Sequence, residues 1–82
     1  MWKQGSINVY GVNFLYDAKV YDIGSELGIN GGRISKLQVV KDVGENSWSW
    51  DNTIINYDRG WDIKPRTHLE KKVLECVLEL YK

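Results

Sequence analysis

The stretch Val12-Asn-Phe-Leu-Tyr-Asp-Ala-Lys-Val-Tyr21 decides the fold. Val12, Phe14, Tyr16, Ala18 and Val20 alternate with Asn13, Leu15, Asp17, Lys19 and Tyr21, a period of two with Leu15 as the apolar exception. Successive strand side chains point to opposite faces, so this run reads as a strand with one face buried and the other wet. Upstream, Ser6-Ile-Asn-Val-Tyr10 alternates more weakly before Tyr10-Gly11 breaks the run. A hairpin through Gly11 joins the two, giving strands over about 3–9 and 12–21.

Downstream, the residues from Asp22 to Gly32 carry Gly24, Gly28, Gly31 and Gly32 together with Ser25 and Asn30, which rules out a regular element. So long a connection in so small a domain suggests a functional loop. A third strand is expected over 33–41. Its apolar positions, Ile34 and then Leu37 and Val39, do not share one parity, which predicts a bulge near Ser35-Lys36. After a turn over 42–46, a fourth strand is expected over 48–58, densest in β-forming residues at Ile54, Ile55 and Tyr57. An extended backbone there projects Trp48 and Trp50 to one face, and Gly60 ends the strand.

The last element, about 67–81, is helical. Thr67-His-Leu-Glu70 has the form of a capping box, in which the Thr67 hydroxyl accepts from the Glu70 amide and the Glu70 carboxylate accepts from the Thr67 amide. Leu69, Val73, Cys76, Val77 and Leu80 form one face, which Leu74, Leu78 and Tyr81 widen. Two accounts of that width stand: a helix sunk into a curved sheet, or a dimer contact along Leu74, Leu78 and Tyr81. The architecture is α+β: an antiparallel meander of about four strands packed against one C-terminal helix, as a single domain over 1–82.

Composition narrows the function more than it names it. Eighty-two residues, 43% hydrophobic and 27% charged, describe one small globular domain with a single core. Eleven basic and eleven acidic residues cancel, and non-specific nucleic-acid binding needs a basic excess, so that class loses its support. One cysteine permits no internal disulfide, so a cytoplasmic setting is expected. No apolar run has the length of a membrane span, and Met1-Trp-Lys-Gln-Gly5 is not a signal peptide. Four Trp and five Tyr against one Phe give most aromatics a polar handle, which suits binding surfaces as well as cross-strand packing.

Two segments mix residue types that turns do not require. In Gly31-Gly-Arg-Ile-Ser-Lys36, adjacent glycines let backbone amides approach an anion, Arg33 offers a planar fork, and Ser35 and Lys36 add a hydroxyl and a mobile charge. The spacing is not that of a phosphate-binding P-loop. In Tyr57-Asp-Arg-Gly-Trp-Asp62, Arg59 is a second anion contact, Trp61 a stacking platform, and Asp58 and Asp62 supporting carboxylates that fix arginine geometry. If strands three and four are neighbours, Arg33, Lys36, Arg59 and Trp61 line one pocket with the 22–32 loop folded over it. The bland alternative is Arg–Asp pairing within the surface and a Trp covering a corner. Catalysis has little support. His68 is the one histidine and sits in the capping box, and Cys76 falls on the apolar helix face. No spacing implies a metal, and no cofactor is expected.

Residues Gly28-Ile-Asn-Gly-Gly-Arg-Ile-Ser-Lys-Leu37 and Asn56-Tyr-Asp-Arg-Gly-Trp-Asp62, with Ala18-Lys-Val-Tyr21 and Gly24-Ser25, resemble a family of small uncharacterised proteins from Gram-positive bacteria and their phages and mobile elements. The likeness covers roughly residues 14–80. The 42–50 stretch looks like an insertion relative to shorter relatives, so nothing carries over to Trp48 and Trp50. The resemblance implies no catalytic residue and no cofactor. It implies a setting in the host cytoplasm, where small non-enzymatic phage proteins inhibit host defence. Two readings follow. In the first, an oligomeric protein sequesters an anionic small ligand such as a signal nucleotide, through Gly31, Gly32, Arg33, Ser35, Lys36, Arg59 and Trp61. In the second, a Trp-rich surface of Trp2, Trp48, Trp50 and Trp61 blocks a host defence or regulatory protein.

Overall fold

The computed structural model describes all 82 residues. Its element order is β1 (Trp2–Val9), β2 (Val12–Val20), β3 (Ile34–Lys41), β4 (Thr53–Asp58), β5 (Trp61–Ile63) and α1 (His68–Leu80). The five strands form one antiparallel sheet in sequential order, and α1 packs across one face. The protein is thus an α+β meander with a C-terminal helix.

Tyr10 and Gly11, with φ of 52° and 82°, form the two-residue turn between β1 and β2. Left-handed backbone at both positions matches the twist of the flanking strands. Val20 N–H donates to the Met1 carbonyl at 2.8 Å, so in the unbroken β1–β2 register the odd-numbered residues of β1 carry the ladder bonds.

Phe14, Tyr16 and Ala18 of β2, Leu37 and Val39 of β3, and Ile55 and Tyr57 of β4 share the helix face and are buried there, against Val73 and Val77 of α1. Gly5 of β1 lies opposite Tyr16, and its missing side chain gives the Tyr16 ring room to cross the sheet toward α1. There the Tyr16 and Tyr81 hydroxyls meet at 2.7 Å, with the rings edge to face. The α1 N-terminus carries both halves of the capping box, with the Thr67 hydroxyl accepting from the Glu70 N–H at 3.1 Å.

The structure departs from the sequence expectation in two places. The expected fourth strand over 48–58 begins only at Thr53, because residues 48–52 form a bend and a short 3₁₀ turn. Asn52 Nδ2 donates to the carbonyls of Asn46 and Ser47, and Thr53 Oγ1 to that of Ser49, which folds the segment back on itself. Trp48 and Trp50 therefore do not share a strand face. The sheet also has a fifth strand beyond the expected four. Arg59-Gly60 is a tight turn, and Trp61 pairs back against Tyr57 with ring centroids 5.0 Å apart. In β3 the register moves from Lys19–Lys36 to Val20–Ile34, leaving Ser35 as the unpaired residue of a bulge.

Candidate functional site

At the end of the sheet where β2 and β4 finish and β3 begins lies an open groove of about 640 Å³, within the usual range of ligand sites. Its floor is the cross-strand pair Lys19 and Lys36, its far rim is Arg59, and its near wall is Tyr21, Ile23 and Leu27. Asp22, Ser25 and Ser35 complete the lining. The 22–32 loop is held in place from below, because the Tyr57 hydroxyl donates to the Leu27 carbonyl at 2.8 Å. Gly28 makes the fold of that loop possible, since a Cβ there would collide with the Gly32 carbonyl.

The charge arrangement of the groove is not what sheet stability asks for. Lys19 and Lys36 stand directly opposite each other on neighbouring strands, a like-charge pairing that destabilises a sheet. Asp58, the partner of Lys36 on β4, relieves part of this. Its Oδ1 lies 3.7 Å from Lys36 Nζ and 3.5 Å from Arg59 Nε. One carboxylate thus serves two cations, and Lys19 is in no ion pair. Lys19 Nζ instead sits 5.5 Å from the centre of the Tyr21 ring. The hydrogen bond and positive charge of Lys19, assisted by Ser35 and Lys36, hold the Tyr21 phenol below its ordinary pKa. The groove thereby favours negative charge on an oxygen at its floor.

Arg59 has φ of 55°, a left-handed conformation that glycine adopts freely and arginine at a cost of about 1–3 kcal/mol. Its N–H donates to the Ser35 carbonyl at 2.9 Å, so the bulge of β3 and the β4–β5 turn brace each other. Backbone strain is spent here on aiming a cation over the groove.

Of the residues expected to converge, the structure brings Ser35, Lys36 and Arg59 together, with Asp58 supporting the two cations. Arg33 lies elsewhere. Its Nε donates to the Tyr21 carbonyl at 2.8 Å and its Nη1 to the Lys82 carbonyl at 3.2 Å, which ties the start of β3 to the end of α1. Gly32 borders that same junction, and Gly31 occupies an open turn beyond the groove. Trp61 is half-buried against Tyr57 on the helix face and does not line the groove. Asp62 makes no ion pair and borders Trp50, Lys64 and Arg66. Leu74, Leu78 and Tyr81 pack against the core of their own chain. Trp48 and Trp50 are exposed near opposite edges of the sheet, the first beside Gln4, Ser6 and Leu15, the second beside Asp62 and Ile63.

Sequence reasoning passed over Lys19, Tyr21, Ile23 and Leu27. The signal for Lys19 lies in the strand parity, which puts it on the wet face of β2. Only the β2–β3 register, shifted by the bulge, shows that Lys36 is its neighbour.

The model of one protein family matches residues 1–82, and that family is described as "Domain of unknown function (DUF7678)". The chain belongs to this family. No curated protein and no solved structure matches it. Membership in DUF7678 assigns no ligand and no reaction, so the groove must be read from its own chemistry. That chemistry is three cations and two carboxylates about an exposed apolar wall, with no cluster of histidine, cysteine or acidic residues suited to a metal ion. No helix is long and apolar enough to cross a membrane.

Proposed function

We propose that the protein is a non-enzymatic binder of an anionic small ligand, a nucleotide being the best fit, held in the groove between Lys19, Lys36 and Arg59. The observation that carries this reading is the Lys19–Lys36 opposition. Two lysines face to face cost stability in the free chain, and an anion between them turns the cost into two charge-assisted contacts. Arg59 adds a guanidinium fork suited to phosphate oxygens. Tyr21, Ile23 and Leu27, all substantially exposed, offer a heterocyclic ring a surface to lie against. In the phage and mobile-element setting implied by the motif resemblance, such a binder inhibits host defence by sequestering a signal nucleotide.

Titration calorimetry against mono-, di- and cyclic nucleotides tests the reading. Replacing both Lys36 and Arg59 by Ala is expected to weaken binding at least 100-fold, since each charged contact contributes about 1.5–3 kcal/mol. Arg33→Ala, which puts no guanidinium in the groove but removes the bond that braces the Tyr21 carbonyl, is expected to weaken binding far less than the double variant. Absence of binding across the panel, or equal binding by the double variant, refutes it.

A second reading has its own observation. Trp2, Trp48 and Trp50 are all exposed and border the sheet face turned away from α1, an arrangement suited to a protein partner. Retention of a host protein on the immobilised chain, lost on replacing Trp48 and Trp50 by Ala, supports it. Retention unchanged by those substitutions counts against it.

A further inference from the structure

The two edges of the sheet differ in kind. β5 is three residues long, short enough to offer little to another strand. β1 is eight residues long, with no proline and no bulge, and its only charged residue is Lys3. Since the odd-numbered residues of β1 bond to β2, the main-chain N–H and C=O groups of Trp2, Gln4, Ser6 and Asn8 point away from the sheet. These four residues are exposed. β1 is therefore an unprotected template for one more antiparallel strand.

We infer that β1 pairs with β1 of a second copy of this chain, antiparallel about a two-fold axis at Gly5. In that register Gln4 faces Ser6 of the other copy and Trp2 faces Asn8, so every outward N–H and C=O meets a partner. Lys3 falls opposite Ile7 rather than opposite its own equivalent, whereas parallel in-register pairing would set lysine against lysine. The axis passes through the residue with no side chain.

The helix supplies the reason that the occupant is another copy and not a bare peptide strand. Val73 and Val77 of α1 face the core, and Leu78 and Tyr81 border Ile29, Arg33 and Ile34 near the start of β3. Helical spacing sets Leu69, Cys76 and Leu80 on the other flank of α1, and α1 approaches β1 more closely than any other strand. Leu80 is 58% exposed and Tyr10 69% exposed. Leu69 and Cys76 pack on the core of their own chain, so a lone peptide strand would satisfy the edge and leave Leu80 wet. A second copy brings its own α1 to the same face and covers Leu80 with its counterpart. The dimer contact is thereby on the helix flank opposite Leu74, Leu78 and Tyr81.

Sedimentation velocity over a concentration series, with amide hydrogen exchange on the same samples, tests the interface. The expected result is a mass rising to twice 9.5 kDa, with the Gln4, Ser6 and Asn8 amides gaining protection as the dimer forms. Ser6→Pro deletes an outward N–H that the monomer does not use, and proline is tolerated at such edge positions. The variant is expected to keep its tertiary circular dichroism and sediment as a monomer. A chain monomeric at every concentration overturns the inference. So does a dimer without protection at those three amides, or a folded Ser6→Pro variant that still dimerises. If Ser6→Pro does not fold, protection in the wild type decides alone.

Discussion

Gly5→Ala isolates the packing that seats α1 on the sheet. A Cβ built at Gly5 lies 2.5 Å from the Tyr16 hydroxyl oxygen, 2.7 Å from Cζ and 2.9 Å from Cε2. The Tyr16 ring is 6% exposed and enclosed by the core, so it cannot swing into water. Displacing it breaks the 2.7 Å hydrogen bond to Tyr81, worth about 1 kcal/mol, and the edge-to-face contact, worth about 0.5–1.5 kcal/mol. Residual crowding adds about 1 kcal/mol or more. Against this, alanine restricts the unfolded chain and returns about 0.4–1 kcal/mol. The net expected loss is about 2 kcal/mol, a fall in Tm on the order of 10 °C for a domain of this size. Urea unfolding at concentrations where the chain is monomeric measures it. Tyr81→Phe alone is expected to cost about 1 kcal/mol. Because Gly5→Ala already breaks that bond, the double variant should fall short of the summed losses by about 1 kcal/mol. A Gly5→Ala protein as stable as its parent, or strictly additive losses, would refute the role assigned to Tyr16.

Burial and the Tyr16 hydroxyl push the Tyr81 pKa up to about 12 from an ordinary 10.0, so the folded chain favours the protonated phenol. That stabilisation is fully present below pH 10 and is lost as pH rises toward 12; since Tyr81 keeps some contact with water, the loss should be about 1–2 kcal/mol. The urea midpoint of the parent should therefore fall more steeply over this window than that of Tyr81→Phe, and parallel curves would contradict it. Gly28→Ala sets a side chain against the Gly32 backbone, which cannot yield as a side-chain tip can. We expect a loss of about 2 kcal/mol or more, with nucleotide binding weakened as the 22–32 loop shifts; an unchanged denaturation midpoint would sink this reading of the loop. Asp58→Asn should tighten binding of the best nucleotide by roughly 2–10-fold in calorimetry, because an exposed ion pair contributes at most about 1 kcal/mol and its carboxylate repels the ligand. Weaker binding would mean that Asp58 holds the cations in place for the ligand.

How far the fold was legible follows from where its information is stored. The period-two run at Val12–Val20, the Tyr10-Gly11 break and the Thr67–Glu70 box are local patterns, and each fixes its element without reference to the rest of the chain. Residues 48–52 were misread because two Trp in an apolar-polar alternation look like a strand. What folds the segment back is a set of local side-chain bonds from Asn52 and Thr53 to the carbonyls of Asn46, Ser47 and Ser49, which apolar-polar alternation does not encode. β5 was missed for a related reason: three residues are too few to show a period, and Trp61 belongs to a strand only because Tyr57 is there to pair with it.

The two arginines show why a shared motif chemistry did not translate into a shared site. Arg33 and Arg59 both follow or precede glycine, both lie at strand ends, and both were expected at one end of the sheet. Arg33 enters β3 where the chain passes beneath the end of α1, so two main-chain carbonyls reach its guanidinium before any ligand does. Two main-chain acceptors from different elements fix the orientation of such a planar donor. Arg59 leaves β4 in a left-handed turn that swings its side chain outward, where Asp58 is the one carboxylate within reach and is shared with Lys36. A shared, exposed pairing of this kind is weak enough for a phosphate to displace. The difference between a structural and a ligand-facing arginine is thus the difference between two main-chain acceptors held by separate elements and one side-chain carboxylate shared with a second cation.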